Sequence, residues 1–495
     1  MGTRGHKVYR HKGWYHVYYN HYDSYPSNFG LKVAAEIPVG DEKVYKEWLE
    51  QLREQMDKHF EENKDVLETY QDANIITQTQ SVADIMIEWV YEIDLDHEVF
   101  LIDGNPLFAL KNMPGPDLFL QCIGVDSYGH RSYSPSTPDE HKYNWKSPPP
   151  EVEDRVIAEY DARQSTPPHS KLTIAELLDA PASVGSCEAA RIGLYEVVIG
   201  KMMQAWGVGH YVRLLEAVPD RSEIPSELLP LGLNMVEVAV GRMAFSKGKS
   251  FAAAELKEFS WLALDICIRI VTHLDEERNV KKAVLGLVDE VISRRQSGSV
   301  AYGILFSFFH CIVLQVDRNN EFKSTTTLQF LPDFHSTSPS TPGIVAVARL
   351  GYHCFTAPKA NGVANTLPSS HFLNQVPLDV LEHIATNLDP ADLESFRAVT
   401  PLFEPVTDAL LRYAYIGDYR LLNVVQASPI SEQSGRSKKL IDVSNTFSAI
   451  VPSDGTFVPE LRVGHSGELF FSFKFGDGTR KVPYEVVKPE SVDSI

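Results

Sequence analysis

Three proline-rich runs, PSTPDE, KSPPPE and STPPHS, crowd into residues 135–170 and set the first limit on how this chain can fold. Proline fixes φ and offers no backbone N–H, so clusters of Pro with Ser and Thr neither continue a helix nor pair inside a sheet. The stretch is expected to be a linker, although EVEDRVIAEYDARQ within it has the composition of a helix. At 495 residues the chain is also too long for one hydrophobic core. The expected fold class is therefore α+β and multidomain. An N-terminal α+β domain would occupy 1–134, the linker 135–170, a helical middle 171–296 and a strand-rich segment 297–370. A short two- to three-helix unit would follow over 371–418, then a small β tail over 419–495.

The period of the apolar residues supports this division. KVYRHKGWYHVYYN alternates on either side of Lys12-Gly13, which predicts a tight hairpin, and a short helix is expected around 29–36. DEKVYKEWLEQLREQMDKHFEENK (41–64) reads as a long helix with Val44, Trp48, Leu52, Met56 and Phe60 as its apolar stripe. Alternation returns over 88–110, with turns at Asp96-His97 and at DGNP, so the helix is expected to lie across a meander. From 171 to 296 five apolar segments, AAAELKEFSWLALDICIRIVTHL among them, predict a helical bundle. SVAYGILFSFFHCIVLQV (299–316) carries His310 and Gln315 and is rich in aromatic and β-branched residues. It reads as two buried strands, or a buried helix running into a strand, and not as a membrane span. HSTSPSTPG (335–343) is expected to be an exposed loop, and Gly476-Asp477-Gly478 the turn of a C-terminal hairpin.

Charge and motif content narrow the function. Forty-six basic residues against 66 acidic ones give a net charge of −20, which repels a phosphate backbone, so no nucleic-acid partner is expected. Five scattered cysteines lack CxxC spacing and suit reduced thiols of a cytoplasmic and/or nuclear protein. MGTRGHKVYR lacks the apolar core of a signal peptide, and His6 stands where myristoylation needs Ser or Thr. No cofactor and no metal are expected, because no GxSxG, HExxH, phosphate-cradling glycine loop or paired cysteines occur. Histidines 6, 11, 16 and 21 recur at an odd spacing that throws neighbours to opposite strand faces, so at most alternate members meet. Asp94 and Asp96 share a strand face, readable as a cation site or as a solvated face.

Residues 376–403, VPLDVLEHIATNLDPADLESFRAVTPLF, have the form of two short amphipathic helices. Pro377 is placed to be the first helical residue, and Val380, Leu381, Ile384 and Leu388 follow at spacings of three and four. Asp389-Pro390 repeats the start signal, and Leu393, Phe396, Val399 and Phe403 make the second stripe. In this order the residues resemble the F-box: Val376-Pro377, Asp379, Val380-Leu381, Ile384, Leu388, Asp392-Leu393, Val399 and Phe403 fill the steps of that family's pattern. Val replaces the usual Leu at the first step and Phe the usual Trp at the last, while Pro401 is expected to end the second helix early. The resemblance implies docking on a Skp1-like adaptor protein through Val376, Pro377, Val380, Leu381, Ile384, Leu388, Leu393, Val399 and Phe403. It further implies a non-catalytic subunit that recruits an unknown protein substrate to a Skp1-cullin ubiquitin ligase. The plain alternative is a helical hairpin closing a core.

A second block, MGTRG followed by YYNHYDSYPSNFG, is similar to one found in fungal, bacterial and phage proteins, and the longer chain is similar to basidiomycete proteins that carry it. No activity comes with that resemblance. Arg4, Asn20, His21, Asp23 and Ser24 could converge as cation, base, acid and hydroxyl on a small polar ligand, which would make the chain an enzyme, a hydrolase or transferase of unknown reaction, with the helix pair purely structural. The other reading is a polar turn in which Asp23 and Ser24 bond nearby backbone.

Overall fold

The computed structural model describes residues 3–63, 74–81, 83, 86–163, 172–204, 206–226, 228–241, 243–245, 257–263, 265–295, 299–336, 338–354, 376–388, 390–416, 419–425, 446–450, 455–463, 469–475 and 481–487. The chain forms two compact units, Met1–Lys146 and Ser147–Ile495.

The first unit opens with β1 (Gly5–His11) and β2 (Trp14–Asn20), joined as expected at Lys12-Gly13, where both residues take positive φ (50° and 75°). A wide helical turn at Pro26–Gly30 leads into α1 (Leu31–Ala34), and α2 (Glu42–Asn63) follows. Strands β3 (Asn74–Thr77), β4 (Trp89–Asp94), β5 (Val99–Ile102) and β6 (Asn105–Ala109) complete a sheet of order β3-β2-β1-β4-β5-β6. Only β1 and β4 run parallel. The face α2 buries is Tyr45, Leu49, Leu52 and Met56, whereas Val44 is exposed, so the expected stripe is corrected. Residues at a constant spacing of four drift by about 40° per step, and a 4-3-4 spacing stays on one side. The meander forms, but Val90 to Asp94 are all buried, so the sheet is covered on both faces and Asp94 and Glu92 are not on a solvated one. After α3 (Pro116–Cys122), β7 (Ile123–Val125) pairs with β8 (Arg131–Tyr133). The chain then returns to the sheet, with Tyr143 N–H donating to Leu107 O at 3.0 Å, so the start of the expected linker belongs to this unit.

The second unit begins with α4 (Asp154–Arg163), the helix anticipated inside the linker, and α5 (Ile174–Leu177), which Thr173 and Glu176 cap reciprocally. Helices α6 (Ser186–Gln204), α7 (Trp206–Leu214) and α8 (Leu228–Val240) follow, then β9 (Ala244–Phe245). The wholly helical middle is corrected at this point: Ser260–Ala263 and Ile266–Ile270 are strands β10 and β11. Ile266, Ile268 and Ile270 alternate with Cys267 and Arg269, a period-two signal hidden in an apolar run. Helix α9 (Glu277–Arg294) crosses to β12 (Ala301–Phe306), parallel to β11, and β13 (His310–Val316) turns back antiparallel, giving the two buried strands expected over 299–316. β14 (Phe322–Ser324) and β15 (Leu328–Gln329) both pair with β13.

Helix α10 (Pro342–Cys354) lies within the segment expected to be strands and packs against α6 and α8. Gly351 makes this possible, since a Cβ there would meet the Ala239 carbonyl at 2.0 Å. Helices α11 (Leu378–Thr386), α12 (Pro390–Arg397) and α13 (Glu404–Leu411) precede β16 (Tyr415–Ile416), β17 (Tyr419–Val425), β18 (Thr446–Ile450), β19 (Gly455–Val463), β20 (Leu469–Phe475) and β21 (Lys481–Val487). These strands form one sheet, and β9 joins it beside β16. The antiparallel β20–β21 pair is the hairpin expected at the C-terminus, and its turn at Gly476-Asp477-Gly478 lies outside the described residues. No helix among the described residues is long and apolar enough to cross a membrane.

Two buried groups in the first unit set opposite pH responses. Burial pushes the Glu92 carboxyl up to about 7, while burial and the facing His59 hold the His16 imidazole down at about 4, its Nδ1 lying 2.9 Å from that of His59. Between about 4.5 and 7 the unfolded chain ionises Glu92 and the folded chain keeps its proton, so stability falls as pH rises. Between about 6.5 and 4 the unfolded chain protonates His16 and the folded one does not, so stability falls as pH drops. Glu92→Gln keeps the shape and removes the first effect. Its stability relative to the parent chain should grow from near zero at low pH to on the order of 3 kcal/mol at pH 8, measured by chemical denaturation across pH.

Candidate functional site

The three short helices of the second unit divide their apolar residues between two faces. Leu381, Ala385, Leu393, Phe403, Val406 and Leu411 are buried with Tyr415 in a small core, and Val376, Leu388 and Phe396 pack at its margin. The Phe396 and Phe403 rings stack with centroids 4.2 Å apart. Arg397 pairs with Asp408 at 2.7 Å and ties α12 to α13. Pro377 caps α11 as the residue before its first turn, and α12 ends at Arg397, with Pro401–Phe403 forming a tight turn into α13.

Outside this core Leu378, Val380, Ile384, Val399 and Leu402 are 40–55% exposed, Val380 and Ile384 one turn apart on the same side of α11. They are five of the fourteen large apolar side chains exposed among the described residues, gathered in 25 positions, whereas scattered single exposures need no explanation. The residues the sequence grouped as one partner face are thus separated. Val380, Ile384 and Val399 point outward, Pro377 is exposed, Leu381, Leu393 and Phe403 are inside, and Val376 and Leu388 are half-buried. The correction follows from helix geometry, because Val380 and Leu381 differ by about 100° around the axis and belong to neighbouring stripes.

In the first unit the structure joins two of the five motif residues. Ser24 is fully buried, and its hydroxyl accepts from the Asn20 side-chain amide at 2.7 Å. Its backbone N–H donates to Thr3 O at 3.2 Å, and the Tyr91 hydroxyl donates to its carbonyl at 2.8 Å. Gly5 permits this packing, as a Cβ there would lie 2.7 Å from Ser24 Cβ. His21 and Asp23 are exposed. His21 Nδ1 lies 3.1 Å from the Tyr19 hydroxyl, and Asp23 turns the chain at a φ of 50°. Arg4 is half-buried, its carbonyl accepting from Glu88 N–H at 3.0 Å. Among the described residues neither His21 nor Asp23 bonds to Ser24, whose hydroxyl is taken by Asn20.

Other candidates found by composition resolve into structure. Asp96 accepts from the N–H groups of Lys12 and Gly13 and so fastens the β1–β2 turn, while Asp94 pairs with Arg10 at 2.8 Å. His6 lies against Ser81 and Tyr19, whereas His11 and His16 face α2, meeting Asp57 and His59. Among the described residues no three His, Cys, Asp or Glu side chains group for a metal ion. Cys267 and Cys311 are buried, which pushes both thiols up to about 12 and leaves them unreactive at neutral pH. Sequence reasoning missed Arg131, which stacks on Trp89 and pairs with Asp103, because nothing in the local pattern links positions so far apart.

No protein-family model, curated protein or solved structure matches this sequence.

The two faces of the helical unit should respond differently to truncation. Leu393→Ala and Phe403→Ala should each lower stability by roughly 2–5 kcal/mol, whereas Val380→Ser and Ile384→Ser should change it by less than about 0.5 kcal/mol, read from denaturant midpoints at unchanged m-value.

Proposed function

We propose that residues 376–411 are a docking module of F-box type, binding a Skp1-like adaptor protein. On this reading the chain is a non-catalytic subunit that brings a protein substrate to a cullin ubiquitin ligase in the cytoplasm or nucleus. The observation that carries it is the division of the three helices into an inner set of side chains that completes their own small core and an exposed apolar set, in which Val380 and Ile384 lie one turn apart on the outer side of α11. A structural hairpin has no use for the second face, whose exposure to water is unfavourable by roughly 25 cal/mol for each Å² left uncovered. Amphipathic helices with apolar anchors at spacings of three and four are a common means of holding another protein.

The inner face also explains how the module keeps its shape while its outer face is free. Leu381, Leu393 and Phe403 fix α11 and α12 against α13, so a partner meets a preformed surface and little ordering entropy opposes binding. Leu381 is therefore unsuitable as a test position, since a charge there would break the module itself. The double variant Val380→Asp with Ile384→Asp should retain the parent circular dichroism and unfolding midpoint, yet lose capture of a purified Skp1-type adaptor by at least about a hundredfold in Kd. Failure of the unaltered chain to bind that adaptor at tens of micromolar would overturn the proposal.

A further inference from the structure

The Ser/Thr/Pro run over 335–343 has no part in the docking module. It lies in the second unit between β15 and α10, and its base is closed. Thr341 Oγ1 donates to Phe330 O at 2.7 Å and accepts Ile344 N–H at 3.2 Å, while Phe330 and Leu331 are buried. Asp333 turns the chain, its carboxylate accepting from the Gln329 side-chain amide at 2.8 Å and its carbonyl from Ser336 N–H at 3.0 Å. A loop whose ends meet and whose tip stands in water is a frequent place for function.

The tip carries Ser338, which is exposed, followed directly by Pro339. Among the described residues Ser338 is bonded within its own loop alone. Its N–H donates to Ser336 Oγ at 3.3 Å, its carbonyl accepts from that hydroxyl at 3.0 Å, and its Oγ accepts Ser340 N–H at 3.1 Å. Pro339 offers no N–H and biases Ser338 towards extended backbone. A serine or threonine followed by proline is the pair that proline-directed protein kinases accept.

The dipeptide by itself selects nothing, since the sequence holds eight Ser-Pro or Thr-Pro pairs. The fold separates them. Those at Thr166 and Ser428 lie outside the described residues. Thr137, Thr341 and Thr400 are buried, and the first two give their hydroxyl protons to the carbonyls of Cys122 and Phe330. Ser134 and Ser147 are half-buried, bonded to the Ser136 hydroxyl at 2.8 Å and to the Glu216 carbonyl at 3.4 Å. Among the described residues Ser338 is the one exposed member of the set. Phosphoryl transfer needs the hydroxyl oxygen in line with the leaving oxygen of the donor, so a buried hydroxyl reacts only after local unfolding. Ser338 gives up nothing but hydrogen bonds inside an exposed loop.

We infer that Ser338 is a phosphorylation site for a proline-directed protein kinase, with a nucleoside triphosphate as the phosphoryl donor. In the transfer Ser338 Oγ forms a bond to the γ-phosphorus, the bond from that phosphorus to the β–γ bridging oxygen breaks, and the nucleoside diphosphate leaves. The hydroxyl proton passes to the kinase's catalytic aspartate and on to solvent. The product places about −1.5 to −2 charges at the tip of the loop, where water solvates them. The site is independent of the docking module.

The test is incubation of the full-length chain with a purified mitogen-activated protein kinase and magnesium ATP, with phosphate located by mass spectrometry of peptides over a time course. Of the six described Ser-Pro and Thr-Pro positions, Ser338 should be phosphorylated first. Thr137, Thr341 and Thr400 should follow at least about a hundredfold more slowly, because each requires the fold to open. Pro339→Ala should slow reaction at Ser338 at least about tenfold with circular dichroism unchanged. The Val380→Asp/Ile384→Asp chain should be phosphorylated at Ser338 at the parent rate, so loss of adaptor docking and loss of this site are read separately. No phosphate on Ser338 in the unaltered chain, or phosphate reaching Thr341 as quickly as Ser338, overturns the inference, and neither result depends on a variant folding. Reaction of Pro339→Ala at the parent rate likewise overturns the assignment to a proline-directed kinase.

Discussion

Arg191 is wholly buried in α6, and its guanidinium donates to the carbonyls of Ala239, Gly241 and Arg412 at 2.6, 2.5 and 3.1 Å. These carbonyls belong to the end of α8, the chain just beyond it, and the residue that closes α13. Burial pulls its pKa down to about 10, so at neutral pH it remains a cation, and a buried cation is tolerated only where hydrogen bonds replace its water. The carbonyls at helix ends are short of donors and carry the negative end of the helix dipole, which makes them suitable partners. One side chain thereby joins three separate parts of the second unit. The same junction holds Tyr415 N–H to Met243 O at 2.8 Å and pairs β16 with β9.

The three short helices are thus tied to the layer behind them. Their inner face closes on itself, and their last turn is tied to α6 by the Arg191 guanidinium bond to the Arg412 carbonyl. On the proposed reading such a mounting would hold a partner at a fixed attitude to the helical layer behind it, where α6 and α10 are further linked by the buried Arg349–Glu188 pair at 2.6 Å. An adaptor that must present a bound substrate to an enzyme has a use for such stiffness, since a rigid mounting lowers the entropy lost when the larger assembly forms.

What could be read from the sequence is what depends on near neighbours. Lys12-Gly13 announced its hairpin because the turn demands positive φ and Gly supplies it, and the start signals at Pro377 and Asp389-Pro390 located α11 and α12 to within a residue or two. Features set by distant neighbours were not legible. The strand Ile266–Ile270 sits in an apolar run whose conformation is decided by β12, its partner more than thirty positions later. Val44 and Tyr45 are equally apolar on paper, and only the sheet determines which one α2 buries. In the helical unit, spacing identified an apolar set but not its two faces, because separating Val380 from Leu381 requires knowing that α13 exists and where it packs. The motif at Asn20 and Ser24 was visible as polar residues, yet its burial depends on Tyr91, whose hydroxyl bonds the Ser24 carbonyl and which no local pattern connects to it.

The claim on which this account stands is that the outer face of α11 and α12 is the part of the chain another protein covers. Amide hydrogen exchange of the intact protein, with and without a saturating amount of purified Skp1-type adaptor, addresses it directly. The account predicts slowed exchange confined to peptides spanning 376–402, with the Arg191 region of α6 unchanged because it is already protected. An adaptor-induced change elsewhere, with 376–402 exchanging as in the free chain, would contradict it.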